Sequence, residues 1–335
     1  MLEIIIVHMN YKNQKKINQR VIPTVQAVML LAGILSITVA SFVSTAQAAD
    51  QATFKTADMA VDALSNALAQ DDKGALLNIF GKEYEDKLMA DDKIIRERTA
   101  QAIKEKNELR GEGTNKKILY IGKKNWPLPF PLVKITAGWH FDTEAGIEEL
   151  VNRRIGRNEL NAIDFCQLYI DAQVEYVKTD RDGDEVREYA QLIASTPGKK
   201  DGLFWKEVEG EELSPFGPLV ADAKDYLVDR EPSDPFKGYY YKVITRQGSD
   251  AIGGRYDYII NGNMIAGFAL IAFPSEHGNT GIMTFSCSHQ GKVYQKNFGE
   301  DSNLIAAGVD VYNPDSSWKE IKANAVSPRR GASPR

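Results

Sequence analysis

The sequence predicts an α+β protein in which a helical subdomain precedes a long helix packed on an antiparallel sheet. Apolar residues recur at helical spacing between residues 54 and 110. A second helical stripe of nearly heptad spacing follows Asn158, and β-rich runs separated by turn residues fill residues 238–297. Helices early in the chain and strands late in it indicate an α+β fold.

The first 48 residues have the pattern of a secretory signal peptide. Four basic residues lie within positions 12–20, an apolar run fills positions 21–43, and small residues occupy positions 46 and 48. We expect cleavage after Ala48, which places the mature protein in the periplasm or outside the cell. The alternative is an uncleaved membrane anchor, because the apolar run approaches the roughly 18–20 residues that span a bilayer. Met9 is an alternative start to Met1.

The composition argues against a nucleic-acid partner. Residues 1–48 hold four basic residues and one acidic residue, so their removal changes the net charge from −5 to −8. A nucleic-acid partner calls for a basic face. Contact with a membrane is expected only through an uncleaved signal segment. Two cysteines, Cys166 and Cys287, lie in apolar sequence, and they are either buried thiols or one disulfide.

Residues 49–112 are predicted to form a helical subdomain of three helices. Asp72 has the side chain of an N-cap and predicts the start of a short second helix. A third, charged helix is expected to begin at Asp91 and to end at Gly111.

Residues 113–322 are predicted to form an α+β domain. Its first part is extended, because three prolines within residues 127–131 remove backbone donors and disfavour a helix. A hairpin is expected around residues 136–138. Asp142 predicts the N-cap of a helix that ends at Gly156.

Asn158 is expected to cap a second, longer helix. One face of this helix carries an apolar stripe, and its spacing predicts packing along a core or a sheet. The stripe comprises Leu160, Ile163, Gln167, Ile170, Val174 and Val177.

Five β-rich runs between residues 238 and 297 predict an antiparallel meander. Turns of Gly, Asn and Pro separate the runs. Residues 323–335 are expected to be a disordered tail. The predicted strands are Tyr239–Thr245, Tyr256–Ile260, Met264–Phe273, Ile282–Ser288 and Val293–Asn297.

Several blocks of sequence occur in an order that resembles a known family. They are Trp126–Leu132, Gly138–Gly146, Arg153–Leu160, Asp171–Tyr176, Asp180–Asp184, Ser195–Trp205, Ser214–Leu219 and Gly267–Pro274. Together they resemble the exported bacterial domain-of-unknown-function family 2950, over roughly residues 54–322. The resemblance implies an envelope or periplasmic protein, and it brings no activity and no catalytic residue.

The order of elements is also similar to pilin-like headgroups, in which a long helix, a short loop and an antiparallel meander follow one another. The sequence lacks the Gly-Phe cleavage motif and the following glutamate of true pilins. Only a pilin-like arrangement of the fold is therefore expected.

A carboxylate-rich loop after the long helix is the sharpest local motif. Aspartates at alternate positions can direct oxygens at one hard cation, and Gly183 permits the turn. The loop departs from an EF-hand at its sixth and twelfth positions, which hold Glu185 and Gln191. The alternative is an acidic turn whose side chains cap backbone donors. The candidate calcium ligands are Asp180, Asp182, Asp184 and Glu188; calcium is the single cofactor candidate.

Aromatic residues beside prolines and glycines suggest a sugar- or peptide-binding groove, for which Trp126, Trp139 and Trp205 are the candidates. Most of the aromatic residues are expected to be core. Ser275, Glu276 and His277 supply the three chemistries of a hydrolytic triad, but neighbours along a chain rarely face one another. A solvated turn is the preferred interpretation, and no catalytic residue is predicted.

The preferred function is a non-enzymatic envelope protein that acts by binding or scaffolding, with an envelope protein or a cell-wall component as partner. It is based on the export signal and on the absence of a phosphate-loop, zinc or nucleophile-elbow motif. The alternative is an envelope hydrolase whose site is assembled from distant residues.

Overall fold

The computed structural model describes residues 51–88, 93–217 and 234–322. Helices and antiparallel sheets together confirm the predicted α+β class. The predicted signal peptide and C-terminal tail lie outside the described residues. Within them, no helix combines the length and the apolar character that crossing a membrane requires. The pilin-like arrangement stays a prediction.

The chain divides into two compact units between Leu150 and Val151. This division falls later than the boundary near residue 112 that the sequence suggested. The reason is that the first sheet shares one hydrophobic core with the N-terminal helices, to which Leu64, Ile103 and Phe141 all contribute.

In its described residues, the first unit combines short helices with a small antiparallel sheet. The Asp72 N-cap is confirmed, since its carboxylate accepts from the Ala75 N–H at 2.9 Å. The helix start predicted at Asp91 lies outside the described residues. The strand order is β1-β2-β4-β5, and β3 pairs with β2. The elements are α1 (Ala57–Ala69), α2 (Lys73–Phe80), α3 (Glu85–Leu88), α4 (Lys93–Glu105), β1 (Asn107–Gly111), β2 (Lys116–Ile121), β3 (Trp126–Pro127), β4 (Leu132–Ile135) and β5 (Gly138–Phe141).

One correction concerns the end of the third predicted helix. Helix α4 ends at Glu105 rather than at Gly111, and the next residues form strand β1. Strand β1 pairs with β2 along its whole length, with Asn107 opposite Ile121. The Asn107 side chain also donates to the Ile103 carbonyl at 3.1 Å, which satisfies a carbonyl at the helix end. Pairing with a later strand therefore overrides the local helical tendency.

A single helix, α5 (Thr143–Tyr176), replaces the two helices that the sequence predicted. Gly156 lies inside it, and nothing within 4 Å would contact a Cβ there. Asn158 does not cap a helix; its side chain is buried and donates to the Thr280 carbonyl at 2.8 Å. The predicted cap thus has a distant partner, which sequence spacing could not show.

The buried face of α5 differs from the predicted stripe. Leu160 and Val174 are 53% and 50% exposed. The face packed into the second core carries small and aromatic residues instead, because Tyr169 lies edge-on to Phe268 at 5.5 Å and places its hydroxyl 3.3 Å from the Ala269 carbonyl. Ile163 and Ile170 of the predicted stripe do contact this core, Ile163 as a buried member and Ile170 as a partly buried one. The buried residues of this face are Ala162, Ile163, Phe165, Cys166, Tyr169, Ala172, Gln173 and Tyr176.

The second unit contains the predicted antiparallel meander with altered membership. Its five strands follow the order β8-β13-β14-β15-β16, and every residue of the interior strands β13 and β14 is buried. Residues 256–260 do not join this sheet; they form two-residue ladders with β9 and β12. The elements are β6 (Leu192–Ala194), β7 (Gly202–Phe204), β8 (Tyr239–Ile244), β9 (Arg246–Gln247), β10 (Tyr256–Asp257), β11 (Ile259–Ile260), β12 (Asn263–Met264), β13 (Ala269–Pro274), β14 (Thr284–Ser288), β15 (Val293–Lys296), α6 (Ser302–Ala307) and β16 (Lys319–Ile321).

Candidate functional site

The candidate site is a groove of about 720 Å³ in the second unit. It lies at the C-terminal end of α5, beside the start of β6 and the loop between β6 and β7. We name it the α5 groove. Its wall combines two tyrosine rings with charged side chains of both signs: Tyr176, Tyr189, Arg181, Lys199, Lys200, Asp182, Glu188 and Asp201.

The two tyrosine side chains are held in place by neighbouring residues of the second unit. Tyr176 is the last residue of α5, and its hydroxyl donates to the Lys200 carbonyl at 2.9 Å, which ties the β6–β7 loop to the helix end. Burial raises the pKa of Tyr176 to about 12, so the phenol stays protonated as a donor. The Tyr189 ring packs edge-on against Phe268 at 4.8 Å. Both rings are therefore fixed before any ligand arrives.

Arg181 organises one end of the α5 groove. Its guanidinium donates to the Tyr176 carbonyl at the helix C-terminus and pairs with Glu212 at 2.7 Å. It also stacks over the Tyr176 ring at 4.3 Å and faces the Trp205 ring at 5.7 Å. The side chain is 7% exposed, and its buried Nε has no hydrogen-bond partner among the described residues. Arg181 is thus a rigid cation within the wall.

The rim of the α5 groove carries accessible charges of both signs. Lys199 is exposed, whereas Lys200 pairs with Glu211 at 3.2 Å. The Asp201 carboxylate accepts from the Thr196 N–H at 2.7 Å, which fixes the turn that presents both lysines. Three cations and three carboxylates line the space, so the site suits a polar ligand that carries both charges.

The candidate calcium loop forms a hydrogen-bonded acidic turn next to this groove. Oxygens of Asp180, Asp182 and Asp184 lie within 4.8 Å of one another. Both oxygens of Asp180 accept from backbone, at 2.8 Å from the Gly183 N–H and 3.0 Å from the Glu185 N–H. These bonds, the one from Gly183 foremost, lower the pKa of Asp180.

The remaining carboxylates of the loop also have partners. Asp184 accepts from the Val186 N–H at 2.8 Å and from the Asn263 side chain at 2.5 Å. Glu188 accepts from the Met264 N–H at 3.0 Å. The geometry is that of the acidic turn named as the alternative, and calcium binding stays a prediction.

The predicted tryptophan groove does not coincide with the α5 groove. Trp126 and Trp139 belong to the first unit and Trp205 to the second. Trp139 and Trp205 are each 8% exposed, so they offer little ring surface to a ligand. Trp205 instead donates its indole N–H to the Glu212 carbonyl at 3.0 Å. Tyr176 is only 4% exposed, so the aromatic surface of the groove comes from the half-buried Tyr189, which the sequence pattern did not single out.

The residues that line the α5 groove stand in sequence patterns that do not distinguish a binding site. Tyr176 ends the buried face of the long helix just before the acidic loop, and Lys199 and Lys200 follow a Pro-Gly turn. Each pattern is common at protein surfaces. Only the fold shows that they surround one space.

The residues with hydrolytic chemistry do not form a triad. The Ser275 hydroxyl lies 3.2 Å from the Thr280 hydroxyl, and the Glu276 carboxylate accepts from Asn279 at 2.7 Å. His277 lies 3.1 Å from the Asn297 side-chain oxygen instead. The three neighbours therefore point to three different partners.

The two cysteines are buried free thiols in the second core. Cys287 lies on β14, and its Sγ is 3.7 Å from the Cys166 carbonyl on α5. Burial raises the pKa of the Cys287 thiol, which keeps it protonated and unreactive.

One comparison with known proteins gives a match. The family model described as "Protein of unknown function (DUF2950)" matches residues 51–321. No curated protein and no solved structure matches the chain.

Proposed function

Because the chain belongs to the DUF2950 family of proteins of unknown function, membership supplies no activity, and we propose from the α5 groove that the protein acts by binding. The single observation behind this proposal is a groove of about 720 Å³ that is lined by the fixed Tyr189 ring and by charges of both signs. Ligand sites typically enclose roughly 300–1,000 Å³ and combine apolar surface with a few placed polar groups.

The proposed ligand is a charged peptide segment of an envelope protein or a cell-wall component. The half-buried Tyr189 ring provides contact area at small entropic cost. Lys199 at the rim can pair with a carboxylate, and Asp182 and Glu188 can pair with an amine. A peptide can carry a carboxylate and an amine a few residues apart, which fits a wall with charges of both signs.

The cellular location is part of the same proposal. The basic, apolar and small-residue sequence of positions 12–48 is the basis for export and for cleavage after Ala48. N-terminal sequencing of the protein from an envelope fraction should begin at Ala49. A chain that retains residues 21–43 would establish an anchor instead.

The binding proposal is tested with a library of short peptides containing Lys, Asp and Tyr and with cell-wall muropeptides, each titrated against the mature protein. Lys199→Glu reverses an exposed charge at the groove and should weaken the dissociation constant of a bound peptide by roughly tenfold or more. Lys319→Glu makes the same change at an exposed position on β16 and is the matched control. Equal affinities of both variants, or no binding of any probe, would reject the groove as the site.

A further inference from the structure

A separate cavity of about 150 Å³ lies in the second unit on the β13–β14 surface. Ile271 and Ser286 are directly opposed on these strands and both line it. Cys287, the next residue after Ser286, directs its Sγ toward the Cys166 carbonyl on α5. Because successive side chains of a strand point to opposite faces, the cavity lies on the face of the sheet away from α5.

The lining of this cavity is mainly apolar. Phe298 and Trp318 form an edge-to-face pair with ring centroids 5.7 Å apart. Val309 and Val311 line the cavity as well. These side chains come from the segment that follows β15, so a loop-and-helix cover closes over the sheet.

The polar groups in the lining already have protein partners. The Ser286 hydroxyl donates to the Leu270 carbonyl at 2.9 Å. The Asn313 amide oxygen accepts from the Asp250 N–H at 2.8 Å, and its nitrogen donates to the Asp250 carboxylate at 2.7 Å. A buried water needs two to four polar partners, and this lining has few to offer. The space therefore favours an apolar occupant.

We propose that this cavity binds a small apolar molecule about the size of one aromatic ring. An engineered apolar cavity of about 150 Å³ in another protein stays dry and admits benzene or xenon. The Phe298 and Trp318 rings favour an aromatic guest, which can pack against their edges and faces. This site is independent of the α5 groove and of any peptide ligand.

The test measures the melting temperature of the mature protein with benzene and with phenol. Benzene at roughly five times its dissociation constant should raise the melting temperature by roughly 2–4 °C. Phenol should raise it less at equal concentration, because its hydroxyl would enter a lining whose polar groups are already paired. An equal or larger effect of phenol would overturn the apolar assignment.

Two filling variants and one control variant assign the effect to this cavity. Val309→Phe fills it and should abolish the benzene shift, whereas Val208→Phe adds the same ring at a position that is 52% exposed and should leave the shift intact. Val311→Leu is a milder filling variant that should reduce the shift. A crystal of the parent protein under xenon pressure should show xenon between Ile271 and Trp318. A benzene shift that survives Val309→Phe, or xenon bound only elsewhere, would overturn the proposal.

Discussion

Two glycines of helix α5 should respond in opposite ways to the same substitution by alanine. Gly156 has no atom within 4 Å of an added Cβ, whereas a Cβ on Gly146 would lie 1.9 Å from Cδ1 of Phe130. Alanine in a helix interior is favoured over glycine by roughly 1 kcal/mol. Gly156→Ala should therefore stabilise the protein by about 0.5–1 kcal/mol.

At Gly146 the same gain is opposed by overlap with a packed ring. Phe130 is buried and lies 4.8 Å from the Phe80 ring, so it cannot retreat freely. Overpacking a core costs typically about 1–3 kcal/mol. Subtracting the helix-propensity gain leaves Gly146→Ala destabilised by up to about 2 kcal/mol, and the two variants should differ by about 1–3 kcal/mol.

Chemical denaturation of the mature protein, followed by circular dichroism, measures both free energies of unfolding. Equal stabilisation by the two substitutions would refute the packing of Phe130 against Gly146. A loss of stability in Gly156→Ala would refute the continuous helix, because a glycine at a helix C-terminus often has a positive φ that alanine tolerates poorly.

Three further predictions concern buried and charged groups of the second unit. Gln173→Leu should lower the free energy of unfolding by about 2 kcal/mol or more. The buried Gln173 amide accepts from the Ala190 N–H and donates to the Ala190 carbonyl, each at 2.8 Å, and leucine can make neither bond. A denaturation midpoint within error of the parent would contradict this. Burial lowers the pKa of His289, so the unfolded chain takes up a proton at a higher pH than the folded protein does. The free energy of unfolding should therefore fall as the pH drops from about 6.5 toward the pKa of His289 in the folded protein. His289→Gln should make the melting temperature less dependent on pH in that window, and an unchanged pH profile would exclude His289 as the cause. If the predicted calcium site binds, the parent protein should melt at a higher temperature in millimolar calcium than in chelator, and Asp182→Ala should not. Equal melting temperatures of the parent in the two buffers would leave only the acidic turn.

The sequence by itself determined the features that depend on neighbouring residues. The Asp72 cap, the hairpin between β4 and β5 and the helical character of residues 143–176 all follow from local side-chain chemistry and spacing. The class of the fold follows as well, because the order of helical and β-rich segments limits how they can pack.

The tertiary structure alone decided where distant segments supply the partner. Strand β1 forms because β2 pairs with it, and the Asn158 side chain bonds to the distant Thr280 carbonyl instead of capping a helix. The α5 groove likewise joins the end of a helix to a loop more than twenty residues later. Such contacts gain their free energy from groups far apart in the chain, and periodicity within a short window contains no information about them.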